Sequence, residues 1–177
     1  MQVRAADDAA PETDVLFEGT AAGLAAQETQ LKKLLELVAV TEIPPTVWNA
    51  RQELWLASDS AAIVKFSVLP AGIANGVETV RRVAAHRQVR WKAVIQATGL
   101  GWLRLDGYPD RLHSAMLELR AELEGAGGSL IVLHRPAGIA PLDAWGNTGD
   151  ALPLMRAVKQ QFDPKGTLNP GCFVGGI

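Results

Sequence analysis

Cysteine, net charge and long apolar runs are all scarce in this 177-residue chain. The single cysteine excludes an internal disulfide framework. A net charge of −2 gives no electrostatic basis for binding nucleic acid. No apolar run reaches the roughly 18–20 residues that cross a bilayer, and the first residues lack the apolar segment of a signal peptide. We therefore expect a cytoplasmic chain with no nucleic-acid partner and no membrane span.

The sequence also lacks the common cofactor and catalytic motifs. Gly99-Leu100-Gly101 is not followed by a glycine at the dinucleotide-binding spacing, and neither a P-loop nor a Gly-x-Ser-x-Gly motif occurs. The three histidines lie far apart with no cysteine nearby, so we expect no metal site. No catalytic residue is identified. What remains is a globular composition, 48% hydrophobic and 20% charged, with a length suited to one domain.

The end of the chain predicts a helix followed by two closely spaced turns. Asp150 is the predicted N-cap residue. Apolar residues at three-and-four spacing form one side of this helix: Leu152, Met155, Val158 and Phe162. Pro164 stops the helix, because the residue before a proline avoids the α region. We refer to residues 163–171 as the hook.

Within the hook, Gly166 allows a positive φ and Leu168 is predicted to be a buried anchor. Asn169-Pro170-Gly171 predicts a type I or type II turn. On pattern alone, this hook is a structural turn at the end of a domain.

The run from Met155 to Gly171, above all Phe162-Asp163-Pro164-Lys165-Gly166-Thr167-Leu168-Asn169-Pro170-Gly171, resembles the C-terminal signature of FAD-linked oxidases of the vanillyl-alcohol-oxidase type. This group includes D-lactate dehydrogenases and bacterial glycolate oxidase. The short segment Val15 to Gly19, followed by an Ala-rich helix, is most similar to the FAD-binding subunit of glycolate oxidase. One departure is Cys172, because the family commonly has Lys or Arg after Asn-Pro-Gly.

The resemblance implies that Asn169, Pro170 and Gly171 contact FAD or the domain that holds it. It also implies that residues 14–177 form the cap domain of the oxidase, whose sheet lies over the flavin. Family members hold FAD in a separate N-terminal domain, larger than residues 1–60 could supply, and its glycine-rich phosphate loops have no counterpart here. We therefore expect a fragment or a natural short subunit, which does not retain FAD strongly alone.

The first third of the chain predicts less regular structure. Residues 1–13, rich in Ala, Asp, Glu and Pro, are expected to be a disordered leader or linker stub. Asp14 to Glu18 is a predicted strand, and Thr20 caps a helix. A stripe predicted to bury one side of that helix consists of Leu24, Leu31, Leu34, Leu35 and Val38. Thr46 to Leu56 predicts a short helix after a proline pair.

From Ala61 onward the chain predicts two similar halves, 61–97 and 101–135, each of them strand–helix–strand. This doubled unit is typical of the ferredoxin-like arrangement, with one antiparallel sheet and helices on one face. The fold class is therefore α+β, with an N-terminal strand–helix extension and a C-terminal helix and hook.

Strand alternation predicts which side chains point away from the helices. On two strands, the residues expected on this far face are Lys65, Ser67, Trp102, Arg104 and Asp106. The middle strand contributes either Trp91, Ala93 and Ile95 or Lys92, Val94 and Gln96, and the last strand contributes either His134 or Arg135. Such a face suits an anionic, partly apolar ligand, and it also suits water.

Two functions from different classes follow. The first is the cap domain of an FAD-dependent 2-hydroxy-acid oxidase or dehydrogenase, whose partners are a flavin-binding domain or other oxidase subunits. The carboxylate of a 2-hydroxy acid favours a guanidinium, so the predicted substrate-binding residues are Arg104 beside Trp102, with Arg135 second. The alternative is a non-catalytic ferredoxin-like subunit that binds a small anion or a partner chain.

The sequence also contains a basic cluster, which is interpreted either as a solvated helix end or as a docking patch for an acidic partner. Its residues are Arg81, Arg82, Arg87, Arg90 and Lys92.

Overall fold

The computed structural model describes residues 1–7, 9–36, 38–56 and 60–177. Its single sheet contains six strands, all paired antiparallel. The strands are β1 (Gln2–Ala6), β2 (Ala9–Asp14), β3 (Ala61–Ser67), β4 (Arg90–Gln96), β5 (Leu100–Asp106) and β6 (Ser129–His134). The α-helices are α1 (Ala21–Leu34), α2 (Ala50–Glu53), α3 (Ile73–Arg87), α4 (Pro109–Gly125) and α5 (Ala151–Phe162).

The strand order, β2-β1-β4-β5-β3-β6, confirms the predicted ferredoxin-like arrangement. Its central part is β4-β5-β3-β6, built from the units β3–α3–β4 and β5–α4–β6. The hairpin of β1 and β2 extends this sheet beyond β4. The chain is therefore an α+β protein, as expected.

The core lies between the sheet and the helices α3 and α4. Alternate residues of the strands point into it, so β3 contributes Val64 and Phe66 and β5 contributes Leu103 and Leu105. The four side chains are all at most 1% exposed. Phe66 lies across Gly101 of the neighbouring strand, where a Cβ atom would come within 2.3 Å of the ring. The missing side chain at position 101 thus makes room for the aromatic ring.

The N-terminal segment departs from expectation. Residues 1–13 do not form a disordered leader: all of β1 and most of β2 lie within them, and Gln2 through Ala6 pair with β4. Composition suggested disorder because the segment has few large apolar side chains, but backbone pairing with a remote strand orders it. Asp8 lies outside the described residues.

A buried polar cluster supports this hairpin. Asp14, 3% exposed, accepts from Arg4 Nε at 2.7 Å, from Arg4 Nη2 at 2.9 Å and from Gln2 Nε2 at 3.0 Å. Three donors compensate the carboxylate for its lost water. Asp14 ends β2, and residues 15–18 are not in a strand, so the strand predicted from Asp14 to Glu18 is wrong.

The predicted helix after Thr20 is present as α1, and the Thr20 hydroxyl accepts from the Gly23 amide at 3.3 Å, as expected for an N-cap. The predicted burial of its apolar stripe is wrong, because α1 has no buried residue and Leu34 is 75% exposed. Periodicity located an apolar face, but Leu24 and Leu31 on it are only partly buried. Within the described ranges, no helix has both the length and the apolarity needed to cross a membrane.

Candidate functional site

The C-terminal helix and the hook form the first candidate site. Helix α5 spans Ala151–Phe162 and contains no buried residue. Asp150 occupies its N-cap position, as predicted, but its side chain makes no capping hydrogen bond. Apolar side chains of α5 are exposed to solvent, and Leu154 and Phe162 are 69% and 80% exposed.

An apolar groove of about 760 Å³ runs between α5 and the hook. Trp145 and Phe173 form part of its wall, with their rings in edge-to-face contact at a centroid distance of 4.9 Å. The remaining lining residues are Leu154, Met155, Val158, Lys159, Phe162, Asp163, Leu168, Asn169, Cys172 and Ile177. We call this the C-terminal groove. It is mainly hydrophobic, and its polar side chains are concentrated at the hook.

The hook has the backbone conformation that its sequence predicts. Gly166 has a φ of 61° and Gly171 has a φ of 73°, both in the left-handed region that suits glycine. The Cys172 amide donates to the Asn169 carbonyl at 3.2 Å, closing the turn over Pro170 and Gly171. A positive φ at the third residue, with proline at the second, identifies a type II turn. Asn169 itself has a φ of 45°, which asparagine tolerates better than most residues.

One prediction about the hook is wrong. Leu168 is 64% exposed and therefore does not act as a buried anchor. The residue that anchors the hook is Asp163, which pattern reasoning treated only as the residue before a proline. Its carboxylate is 7% exposed and receives bonds from Lys159, Thr167 and Leu168. The sequence feature that could have indicated this role is an aspartate directly after a predicted helix and directly before Pro164.

The far face of the sheet is the second candidate site. Trp102, Arg104 and Asp106 point away from the core, as the alternation predicts. On β4 the open alternative is resolved, because Trp91, Ala93 and Ile95 lie in the core. The far-face residues of β4 are therefore Lys92, Val94 and Gln96. On β6, His134 pairs with Ile63 and takes the far-face position, while Arg135 lies just beyond the strand.

Arg104 already has protein partners on this face. Its Nε and Nη2 bond to the two carboxylate oxygens of Asp106 at 2.8 and 2.7 Å. Its Nη1 donates to the carbonyls of Leu54 and Leu56 at 3.0 and 2.5 Å. The Arg104 side chain is only 13% exposed, and the carbonyls of Leu54 and Leu56 lie against it. The bond with Asp106 also raises the pKa of the Arg104 guanidinium above its ordinary value, which keeps it charged.

The other two predicted substrate residues, Trp102 and Arg135, lie in different surroundings. The guanidinium of Arg51 lies 4.8 Å from the ring centroid of Trp102, which is half-buried beneath it. Arg135 is exposed and donates from Nη1 to the Ile139 carbonyl at 2.8 Å. The fold therefore brings Trp102 and Arg104 together on one face, whereas Arg135 lies beyond the end of β6. Their roles in substrate binding stay predictions.

The predicted basic cluster lies on two elements, with Arg81, Arg82 and Arg87 on α3 and with Arg90 and Lys92 on β4. Arg87 pairs with Glu118 at 2.5 Å, and Arg82 pairs with Glu122. The Arg82 and Arg87 pairs cross between α3 and α4, so these charges link the helices at the surface. Nowhere in the described part of the chain do three or more His, Cys, Asp or Glu side chains form a group that could hold a metal ion.

Comparison with known proteins gives one finding. Residues 104–172 match the family model described as "FAD linked oxidases, C-terminal domain". The match begins within β5 and ends at Cys172, the last residue of the type II turn, and it covers less than half of the chain. No curated protein and no solved structure matches the chain. The family match supports an FAD-linked oxidase or dehydrogenase cap domain.

Proposed function

We propose that this chain is the C-terminal cap domain of an FAD-dependent 2-hydroxy-acid oxidase or dehydrogenase, of the kind found in glycolate oxidase. The observation that carries the proposal is the family match over residues 104–172. It includes the end of β5, with the candidate Arg104, and the whole hook, whereas Trp102 lies just before the matched residues. We assign residues 14–177 to this cap domain, together with the β1–β2 hairpin that completes its sheet.

The C-terminal groove is the surface that we assign to the flavin-binding domain. Its exposed apolar side chains are contiguous, and a large apolar patch with a polar rim is typical of an interaction surface. Asn169 lines the groove at the hook, and Pro170 and Gly171 complete the turn beside it. These three residues are the proposed contacts to FAD or its domain.

The residues present fit contact with a bound flavin but not independent binding of the dinucleotide. An apolar groove with one amide side chain suits the edge of an apolar ring system, whereas the pyrophosphate of FAD needs a cradle of backbone amides. FAD, held by its own domain, would supply the hydride-accepting chemistry. This chain's residues would position that domain and exclude water from the groove.

For the substrate we propose the far face, with Trp102, Arg104 and Arg135 as binding residues. Arg104 would have to exchange the carbonyls of Leu54 and Leu56 for a substrate carboxylate, which requires residues 45–56 to move. Arg135 requires no such movement, because its guanidinium is exposed. Glycolate and D-lactate are the proposed substrates.

The test compares the chain alone with the chain co-expressed with a flavin-binding domain of this oxidase family. Alone, it should purify colourless and oxidise neither glycolate nor lactate, whereas the assembled protein should be yellow and active. The variant Asn169→Ala should weaken FAD retention while lowering the melting temperature of the isolated chain by only a few degrees, because alanine tolerates the positive φ of position 169 less well than asparagine. Asn147→Ala, in an exposed loop next to the groove residue Trp145, is the matched control.

Two results would contradict the proposal. One is an isolated chain that binds about one FAD by itself with high affinity. The other is an Asn169→Ala variant whose melting temperature falls by many degrees, which would make the turn a purely structural feature.

A further inference from the structure

Asp163 is the most heavily hydrogen-bonded side chain of the C-terminal segment. One carboxylate oxygen accepts from the Thr167 amide at 2.9 Å and the Thr167 hydroxyl at 3.1 Å. The other accepts from the Leu168 amide at 2.8 Å and pairs with Lys159 Nζ at 2.7 Å. Four donors thus converge on a side chain that is 7% exposed, in a hook whose other residues are mostly exposed.

The position of Asp163 is electrostatically unfavourable unless it has these partners. It follows the last residue of α5, where the helix dipole presents partial negative charge and favours cations. Lys159, one turn earlier, supplies the compensating cation on the same carboxylate. The Lys159 pair and the two backbone amides hold the pKa of Asp163 well below its ordinary value, so the group stays ionised at neutral pH.

Lys159 connects this carboxylate to the rest of the hook. The same ammonium group donates to the Leu168 carbonyl at 2.5 Å, so the peptide units on both sides of Leu168 are fixed from α5. The next residue is Asn169, whose carbonyl closes the type II turn. A chain of short contacts therefore runs from Asp163 through Lys159 and Leu168 to the turn.

We infer that Asp163, with Lys159, is the positioning residue of the hook: it fixes the Thr167–Leu168 backbone and thereby orients Asn169 at the C-terminal groove. The identity of the group that the turn contacts rests on the proposed function, whereas the positioning role of Asp163 does not depend on it. The two are separable because the hook can be observed in this chain without any flavin domain.

The experiment measures amide hydrogen exchange in the full chain by NMR. In Asp163→Asn the Lys159 pair is lost, and one acceptor oxygen is replaced by a donor group. We expect exchange of the Thr167 and Leu168 amides to accelerate by about tenfold or more, while exchange in β3 and β5 stays unchanged. The control is Asp150→Asn, at the other end of the same helix, whose side chain makes no capping bond and whose replacement should leave the hook unchanged.

A second variant and a pH series make the test specific. Lys159→Met should also accelerate exchange at Leu168, whereas Lys159→Arg, which keeps the charge and a donor, should restore much of the protection. Since the pKa of Asp163 is lowered, its contribution is present above the ordinary aspartate pKa and is lost only as pH falls through the lower folded value. Protection in the parent chain should therefore decline only in strong acid, and Asp163→Asn should show no such decline.

Unchanged protection of Thr167 and Leu168 in Asp163→Asn would overturn the inference. If exchange accelerates and FAD retention in the assembled enzyme falls, both the inference and the proposed function are supported. If exchange accelerates while Asp163→Asn and Asn169→Ala both retain FAD normally, the positioning role stands and the assignment of the groove to the flavin domain fails.

Discussion

Replacing Arg104 with alanine separates two interpretations of the far face. The sequence predicts a guanidinium that is available to a substrate carboxylate. The structure shows a guanidinium with two bonds to Asp106 and two to the carbonyls of Leu54 and Leu56. We expect Arg104→Ala to destabilise the fold, because it removes these bonds and leaves the Asp106 carboxylate without this cation.

The expected loss is about 2–3 kcal/mol of unfolding free energy. A hydrogen bond to a charged group contributes roughly 1.5–3 kcal/mol, but bonds that share one group are not additive. The side chains of Arg104 and Asp106 are 13% and 20% exposed, so water replaces the lost partners only in part. For a chain of this length, 1 kcal/mol shifts the melting temperature by about 2–4 °C, so a fall of about 4–12 °C is expected.

The assay is thermal and urea unfolding, combined with amide exchange of residues 45–56. Exchange there should accelerate in Arg104→Ala, and Arg104→Lys should be intermediate because it keeps the charge but loses the fork. Arg111→Ala is the matched control, since its guanidinium lies 5.4 Å from the ring of the exposed Tyr108 and should contribute only about 0.5–1 kcal/mol. If Arg104→Ala were as stable as this control, the structural role would be refuted and a free substrate-binding arginine favoured.

Two further predictions concern the packing and the pH dependence of the sheet. Gly101→Ala should lower the free energy of unfolding by about 1–3 kcal/mol, because the added methyl group overpacks against Phe66. Adding Phe66→Leu to this variant should recover part of that loss. If urea unfolding showed that the losses of the two single variants simply add, the contact would be contradicted. Asp14→Asn should cost about 1.5–3 kcal/mol at pH 7. Because the bond from Arg4 lowers the pKa of Asp14, this difference is present above the ordinary aspartate pKa and should vanish as pH falls through the folded value. Glu12→Gln, which removes the 63% exposed second partner of Arg4, should change stability little, and an equal effect of both variants would disprove the role of burial.

The central fold could be predicted because its signals are local. The strands β3, β4, β5 and β6 and the helices α3 and α4 each have their own periodicity and turn residues, and two similar halves left few topologies. The alternation on β5 also predicted correctly that Arg104 faces away from the core. The alternation of residues along a strand predicts which face of the sheet a side chain occupies, but it does not predict which other residues cover that face.

The elements that the sequence missed depend on remote partners. β1 is ordered by pairing with β4, nearly ninety residues later, where Ala6 is opposite Lys92. The neighbours of Arg104 likewise come from Leu54 and Leu56, about fifty residues earlier. No local sequence pattern predicts such long-range contacts. At the hook, the sequence pattern predicted the turn and its glycines but not the anchoring role of Asp163. That role depends on four hydrogen-bond donors that only the folded backbone brings to the carboxylate.

The same reasoning explains why α1 and α5 differ as evidence for a partner, although both expose the apolar side that periodicity identifies. A helix of 12–15 residues is only marginally stable in water, so each needs support beyond its own backbone. α5 receives that support from the hook at its end, and the Trp145–Phe173 contact completes a groove with defined walls. α1 has its Thr20 cap, and none of its residues is buried. A defined groove constrains the shape of what it contacts, whereas a bare helical face does not. The proposal for the flavin-binding domain therefore rests on α5 and the hook.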